Sequence, residues 1–459
     1  MMDTLKEPKA GPAPERAGVI PASSDGERVQ VMFDTFAGAD SDGFPPWLRT
    51  IRGAARARAD RIGFPTTRQE EWKFTNMAPV LQLPLHPAEK TGAQLTRRDI
   101  ERFTFGLDAH RLVFVDGHFC ADLCSLPKEG DDLQLGNLLG QSAGDSPEVE
   151  KNLGRHAHFD ADFFTALNTA FFQDGAFVSI AAGKSAGKPV HLLFIGASEQ
   201  PGATALSRNL ILAERGARVQ VIESHVSLSD AARLSSTVTE LVLGPEARVE
   251  HCKVQQESRR AFHIAVIQAV QAKDSRWTSH SVATGARLAR NQIQTLLNGG
   301  GAAAILNGLY LGDAEQLIDH HTVVDHASAH CESHEFYHGI LADRAHGVFN
   351  GKIFVRQDAQ KTNAKQTNRN LLLSDDAVID TKPQLEIFAD DVKCTHGAAI
   401  GQLSDEAVFY LRSRGIGAEQ ARRILIQAFA SDVIERIGIE PVRTRLEQML
   451  AERFDSAEE

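Results

Sequence analysis

The chain has 459 residues, 42% of them hydrophobic and 24% charged, with a formal net charge of −11. That length exceeds one ordinary compact domain and predicts two or three units or one elongated, repetitive fold. No apolar run approaches the roughly 18 residues of a membrane-spanning helix, and the acidic charge argues against nucleic acid or an anionic lipid surface as partner.

The N-terminal stretch 1–30 carries Pro, Ala and Gly with Asp3, Glu7 and Glu15. It lacks the apolar core of a signal peptide and the acid-poor character of a transit peptide, which predicts a loose tail over 1–40 of a cytoplasmic protein. Five cysteines, at positions 120, 124, 252, 331 and 394, form no regular framework and suit a reducing compartment.

Residues 41–170 read as a mainly helical domain, broken at Pro45-Pro46, Gly63 and Pro65 and by a polar loop near 140–147. Arg49, Arg52, Arg56, Arg58 and Arg61 load 47–62 with positive charge, read as a solvated helix face.

From 171 to 400 short runs of Val, Ile, Leu and Thr alternate with Gly, Pro or Asp turns, as in Leu210-Ile211-Leu212 and Val219-Gln220-Val221-Ile222. Leu210 is echoed at Leu241, and Gly216-Ala217-Arg218-Val219 at Glu246-Ala247-Arg248-Val249. Turns at Gly312-Asp313, Ala342-Asp343 and Asp375-Asp376 continue the count. A period of about 30 residues predicts stacked coils, a β-helix.

After Gly401 the period becomes helical. Ser404 caps a helix with Asp405 and Glu406 in its first turn, and Gly415 stops it. A second helix is predicted over 418–437, its apolar face formed by Ala421, Ile424, Leu425, Ala428, Phe429 and Val433. A last, charged helix completes the C-terminal domain, 401–459.

Gly183-Lys184-Ser185-Ala186-Gly187-Lys188-Pro189 approaches a phosphate loop but is one residue short, with Pro189 in place of the hydroxyl residue that would hold magnesium. Gly415-Ile416-Gly417 lacks the third glycine of a dinucleotide turn. Seven of the 18 histidines, His320, His321, His326, His330, His334, His338 and His346, crowd into the stretch 320–346. On a helix His326, His330, His334 and His338 would form one metal-binding stripe, whereas on a strand residues four apart sit roughly 13 Å from each other. Thr322-Val323-Val324 and Phe336-Tyr337 favour the strand and a polar coil lining. Cys120 and Cys124 have no second ligand pair nearby and read as packing residues.

Cys394 and His396 differ. Two apart on a strand, they point the same way about 6.6 Å from each other, so a thiolate and an imidazole face one site, both suited to iron. Spacing alone is equally met by a Cys and a His that only pack.

The stretch 350–437 resembles the SufB/SufD family of iron-sulfur cluster assembly throughout. It carries, in family order, Gly351-Lys352-Ile353, Gln360-Lys361-Thr362-Asn363-Ala364-Lys365-Gln366, Asn370-Leu371-Leu372-Leu373-Ser374, Lys382-Pro383-Gln384-Leu385-Glu386-Ile387, Asp390-Asp391-Val392-Lys393-Cys394-Thr395-His396-Gly397 and Phe409-Tyr410-Leu411-Arg412-Ser413-Arg414-Gly415. Weaker echoes extend upstream through Asp319-His320-His321-Thr322, Ser207-Arg208-Asn209, Leu167-Asn168-Thr169-Ala170-Phe171 and Glu70-Glu71-Trp72-Lys73-Phe74. SufB-like members carry glutamate after the motif histidine and SufD-like members glycine, so Gly397 sides with the latter.

The resemblance implies a mainly β protein, a right-handed parallel β-helix flanked by helical N- and C-terminal domains. It implies a non-catalytic scaffold that pairs with a SufB-like subunit through the β-helix and docks a SufC-like ABC ATPase on its C-terminal helices, with ATP hydrolysed in trans and no nucleotide bound by this chain. It implies that His396, with Cys394 beside it, faces a partner thiolate where a transient iron-sulfur cluster or iron is held. It also allows a homodimer of the isolated chain, and carries no expectation about a flavin. The departure is in the histidine window, where His338 stands at a common lysine and His334 looks particular to this chain. A free-standing zinc- or iron-dependent enzyme using that window is the alternative expectation, and a structural solenoid without a metal role is a third.

Overall fold

A computed structural model describes residues 25–38, 44–90, 95–127, 132–143 and 146–455. It is mainly β, a parallel solenoid of about eight turns with helices at both termini, as expected. Successive strands alternate between two ten-stranded sheets, so each coil gives one strand to each. The repeat is elastic: the coil that brings Leu288 beside Phe262 is shorter than the one that brings Val378 beside His346.

The sequence echoes mark real register. Arg218 pairs with Arg248 and Val219 with Val249. At the turn before them Gly216 and Glu246 both adopt left-handed backbone, with φ of 67° and 62°. Gly216 N–H donates to the Pro245 carbonyl at 2.8 Å and Glu246 N–H to the Lys273 carbonyl at 2.9 Å, so each turn is bonded to the next coil. That bond sustains a conformation L-residues disfavour.

Burial along a strand does not simply alternate, because both faces of each sheet are covered. In Arg248–Gln256, Val249 packs into the lumen, while Cys252 and Val254 lie under the C-terminal helices. On the other sheet's outer face Leu206, Leu210 and Ile264 pack against Phe33, Trp72, Phe163 and Phe164 of the N-terminal region. Burying each such side chain contributes about 1.5–3 kcal/mol.

The helix Phe163–Phe171 is capped by Asp162, whose carboxylate accepts from Thr165 N–H at 2.7 Å. It is pinned by Asn168, whose amide donates to the Ser207 and Ser236 carbonyls of two successive coils at 2.9 and 3.0 Å. Two buried ion pairs serve the same seam. Arg208 meets Glu240 at 2.9 Å, and Glu240 also accepts from the Gly154, His156 and Ala157 N–H groups. Arg290 pairs with Asp319 and lies over the Trp72 ring, 3.9 Å from its centroid, while the Thr75 hydroxyl donates to Asp319 at 2.5 Å.

Three expectations are corrected. The tail expected over 1–40 contains the helix Asp25–Gly38, whose Val29, Met32, Phe33 and Phe36 are buried; residues 1–24 lie outside the described residues. Sheet structure also begins before residue 171. His110–Val115 runs parallel to Val190–Gly196, and Leu133–Asn137 runs antiparallel to Ala176–Ile180, closing that end of the solenoid. The arginines of 47–62 are not all solvated: Arg52 is buried, donating to the Phe172 carbonyl at 3.0 Å, because its helix lies against Phe163–Phe171.

Candidate functional site at the open end of the solenoid

The last strand of one sheet is Lys393–Gly401 and the last of the other is Val378–Ile387. Each pairs with the coil before it and, among the described residues, has no strand on its far side. The turn leading in is fixed by 360–362. Lys361 N–H donates to the Asp391 carbonyl at 2.7 Å, its ammonium pairs with the Asp391 carboxylate, and Lys393 N–H donates to the Thr362 carbonyl at 2.8 Å.

Cys394 pairs with Ala364 and His396 with Gln366. Ala364 packs with Ile353, Val355 and Ala389, and Cys394 joins that cluster, so its side chain faces the lumen. His396, two residues on, shares that face. Cys394 is half-buried; His396 is exposed, and its ring has no hydrogen-bond partner among the described residues. Burial pushes the Cys394 thiol up, against a smaller opposing pull from the Ala364 backbone. Alone the thiol stays protonated at neutral pH, so any metal ion bound there would have to displace its proton. A thiol and an imidazole on one face of an open rim therefore form a donor set that fits an iron-sulfur cluster as substrate, short of the full set such clusters use.

The histidine window is not one site. His320 is buried in the lumen, stacked on Tyr310 with centroids 5.3 Å apart, and burial lowers its pKa to about 3. His321 faces the opposite way, toward Asp319, Arg290 and Glu71. His326 is bonded to Ser333 Oγ at 2.8 Å, and His346 to Asp380 at 2.8 Å. His330 occupies a left-handed turn position at φ 61°. His338 packs on Phe429 of the C-terminal helices. Strand periodicity disperses them, and among the described residues no three His, Cys, Asp or Glu side chains are grouped to hold a metal ion. Cys120 and Cys124 behave as packing residues: the Val113 N–H reaches Cys124 Sγ at 3.3 Å, and burial pushes that thiol up to about 11.

Gly183 to Pro189 form an exposed turn, not a strand-to-helix loop. Gly183 to Gly187 have the Gly-x-Ser-x-Gly spacing of a nucleophile elbow, yet no histidine bonds the Ser185 hydroxyl among the described residues. Sequence reasoning missed the residues beneath the rim. Running the repeat back from His396 lands on Gln366 and then Glu335, both buried in the same lumen column.

The C-terminal helices are Asp405–Ser413, Ala418–Ile434 and Glu440–Asp455. Ser404 caps the first as expected, accepting from Ala407 N–H at 3.2 Å. The buried face of the second is turned from the one expected: Ala421, Ile426, Ala430, Val433 and Ile434 point inward, while Ile424 and Ala428 are exposed. Its partner surface is the sheet around Leu309, Leu311 and Ile340. No described helix is long and apolar enough to cross a membrane.

A two-sheet parallel solenoid with helices at both termini defines the fold class, and comparison gives the family. The chain matches the SUF system FeS cluster assembly, SufBD core domain, over residues 194–429, and the SufBD protein N-terminal region over 31–192. It belongs to the SufBD family of iron-sulfur cluster assembly proteins. It is 33% identical to an iron-sulfur cluster assembly SufBD family protein of Synechocystis, covering 86% of this chain and 89% of that one. It is 32% identical to the iron-sulfur cluster assembly protein SufD of Escherichia coli (86% and 90%), and 28% identical to SufD of Bacillus subtilis (88% and 93%).

Proposed function

We propose that this chain is a SufD-like, non-catalytic scaffold subunit. A SufB-like subunit extends the solenoid at its open end, an ABC ATPase docks on the C-terminal helices, and a nascent iron-sulfur cluster is assembled as substrate where Cys394 and His396 meet a thiolate of the SufB-like subunit. ATP is bound and hydrolysed by the ATPase.

One observation carries this reading. Of nine large hydrophobic side chains exposed among the described residues, seven lie beyond residue 377: Val378, Ile387, Phe388 and Ile400 around the last coil, and Phe409, Tyr410 and Ile424 on the first two C-terminal helices. Unpaired strand edges and apolar side chains together mark surfaces that are covered in use. The two groups fit two different partners.

The test is co-purification from cells expressing the three subunits together, with cluster maturation as the second readout. Ile400→Lys is expected to release the SufB-like subunit and retain the ATPase, and the double change Phe409→Ala with Tyr410→Ala to do the reverse. His396→Ala is expected to leave the complex intact and lower maturation at least tenfold, and Cys394→Ala to lower it less. Full maturation by His396→Ala in an intact complex would overturn the assignment of the site.

A further inference from the structure

Beside the apolar cluster around Cys394, one column of the lumen below the rim is polar where a solenoid core is normally apolar. Glu335, Gln366 and His396 pair in register on three successive coils and form one inward column ending at the open rim. Glu335 is 2% exposed and Gln366 is 1% exposed. The Gln366 side-chain N–H donates to the Glu335 carboxylate. Among the described residues no cation is paired with that carboxylate, and an uncompensated buried acid is costly. Burial pushes it up to about 7, while the Gln366 amide and the Thr322 hydroxyl pull the other way.

Space is cleared for this pair from the facing sheet. A Cβ at Gly351 would overlap the Gln366 amide, so the glycine admits the long side chain across the lumen. With Gln366 Nε2 fixed on Glu335, the orientation of Oε1 is also fixed. That oxygen is buried and has no hydrogen-bond partner among the described residues. A buried amide oxygen left open needs a donor. The next side chain in the column is the His396 ring, whose nitrogens have no hydrogen-bond partner among the described residues, on a strand about 4.8 Å away.

We infer that Gln366, anchored by Glu335, is the positioning residue for His396: its amide oxygen accepts from one ring N–H and leaves the other ring nitrogen as the lone-pair donor at the rim. Histidines that ligate metals are commonly held this way through their second nitrogen, which sets both tautomer and ring plane. The inference rests on the proposed role of His396 as a ligand, but the contact itself can be tested without iron or a partner.

The experiment labels histidine with 15N in the full chain and reads the two ring-nitrogen shifts of His396, assigned by their loss in His396→Ala. In the unaltered chain they are expected to be widely split, with the proton on one nitrogen. In Gln366→Met, and separately in Glu335→Leu, they are expected to converge to the averaged values of a free imidazole, while far-ultraviolet circular dichroism is unchanged. Two variants guard against one failing to fold. A His396 ring that is averaged in the unaltered chain, or has the same split shifts in both folded variants, overturns the inference. Failure of His396→Ala to affect maturation would overturn the ligand role and leave this contact standing.

Discussion

The His338 ring stacks on Phe429 with centroids 4.3 Å apart and donates its Nδ1–H to the Phe429 carbonyl at 2.9 Å. The carbonyl can only accept, so Nδ1 carries the proton. A residue of the sheet thereby clamps the middle of the helix Ala418–Ile434, and burial lowers its pKa and keeps it neutral. His338→Ala is expected to cost about 1–2 kcal/mol, the sum of one hydrogen bond and one ring contact. Urea unfolding gives the energy. Limited proteolysis is expected to cut faster near Gly415 if the helices loosen.

Acid should weaken the fold well before carboxylates in their ordinary range protonate. Burial lowers His191 and His320 to about 3 and His326 to about 4, and burial with Lys253 lowers His263 to about 4. The unfolded chain therefore binds protons at these positions below about pH 6.5 while the folded chain does not. Their contribution is fully present above that pH and is lost as pH falls toward about 3–4, each by up to about 1.4 kcal/mol per pH unit. The midpoint of thermal unfolding is expected to drop steadily between pH 7 and pH 5. A flat profile there would contradict the buried, neutral state of these rings.

Glu335 acts in the opposite sense. Its folded pKa of about 7 lies above the ordinary glutamate value of 4.5, so the folded chain takes up the extra proton and stability rises as pH falls from about 7 to 4.5. Above pH 7 its ionisation costs on the order of 3 kcal/mol. Glu335→Gln removes that cost, so the variant is expected to melt higher than the unaltered chain at pH 8 and level with it at pH 5. Equal melting at both values would argue against a buried, unpaired carboxyl.

The seam with the N-terminal region has a different sensitivity. Burial would raise the Asp319 carboxyl, but Arg290 and His321 beside it hold it below its usual range. Asp319→Ala would leave Arg290 buried against Trp72 without its carboxylate, a loss of about 3–5 kcal/mol. The expected signature is early release of the N-terminal helices, seen as Trp72 fluorescence changing before the β signal in denaturant.

Much of this architecture was legible in the chain itself. The Arg218 and Arg248 echo gives the register correctly, whereas Leu241 pairs with Ile211, one residue from the echo that Leu210 suggests. Coils of unequal length, such as Phe262 to Leu288 against His346 to Val378, blur any fixed count. The early strand was also readable: Asp116-Gly117, with φ of 50° and 84°, makes the two-residue hairpin turn between His110–Val115 and His118–Phe119. The face of Ala418–Ile434 was not, because every side of that helix carries apolar residues and the sheet decides which are covered. Type and spacing put Cys394 and His396 on one strand face, and the family resemblance, not the spacing, made them the candidate site. Gln366 and Glu335 required the knowledge that residues a full coil apart are neighbours.

An unfinished solenoid end has a mechanical meaning. Each coil advances the structure by one strand spacing of about 4.8 Å, and a partner added in register continues the same inner columns past His396. The join is then digital: a one-residue slip at the edge would turn every side chain of the joining strand to the other face. Whatever held two such edges in phase would also decide which partner side chain lay opposite His396. A force that pries the edges apart would change the depth and wetness of that point without deforming either chain.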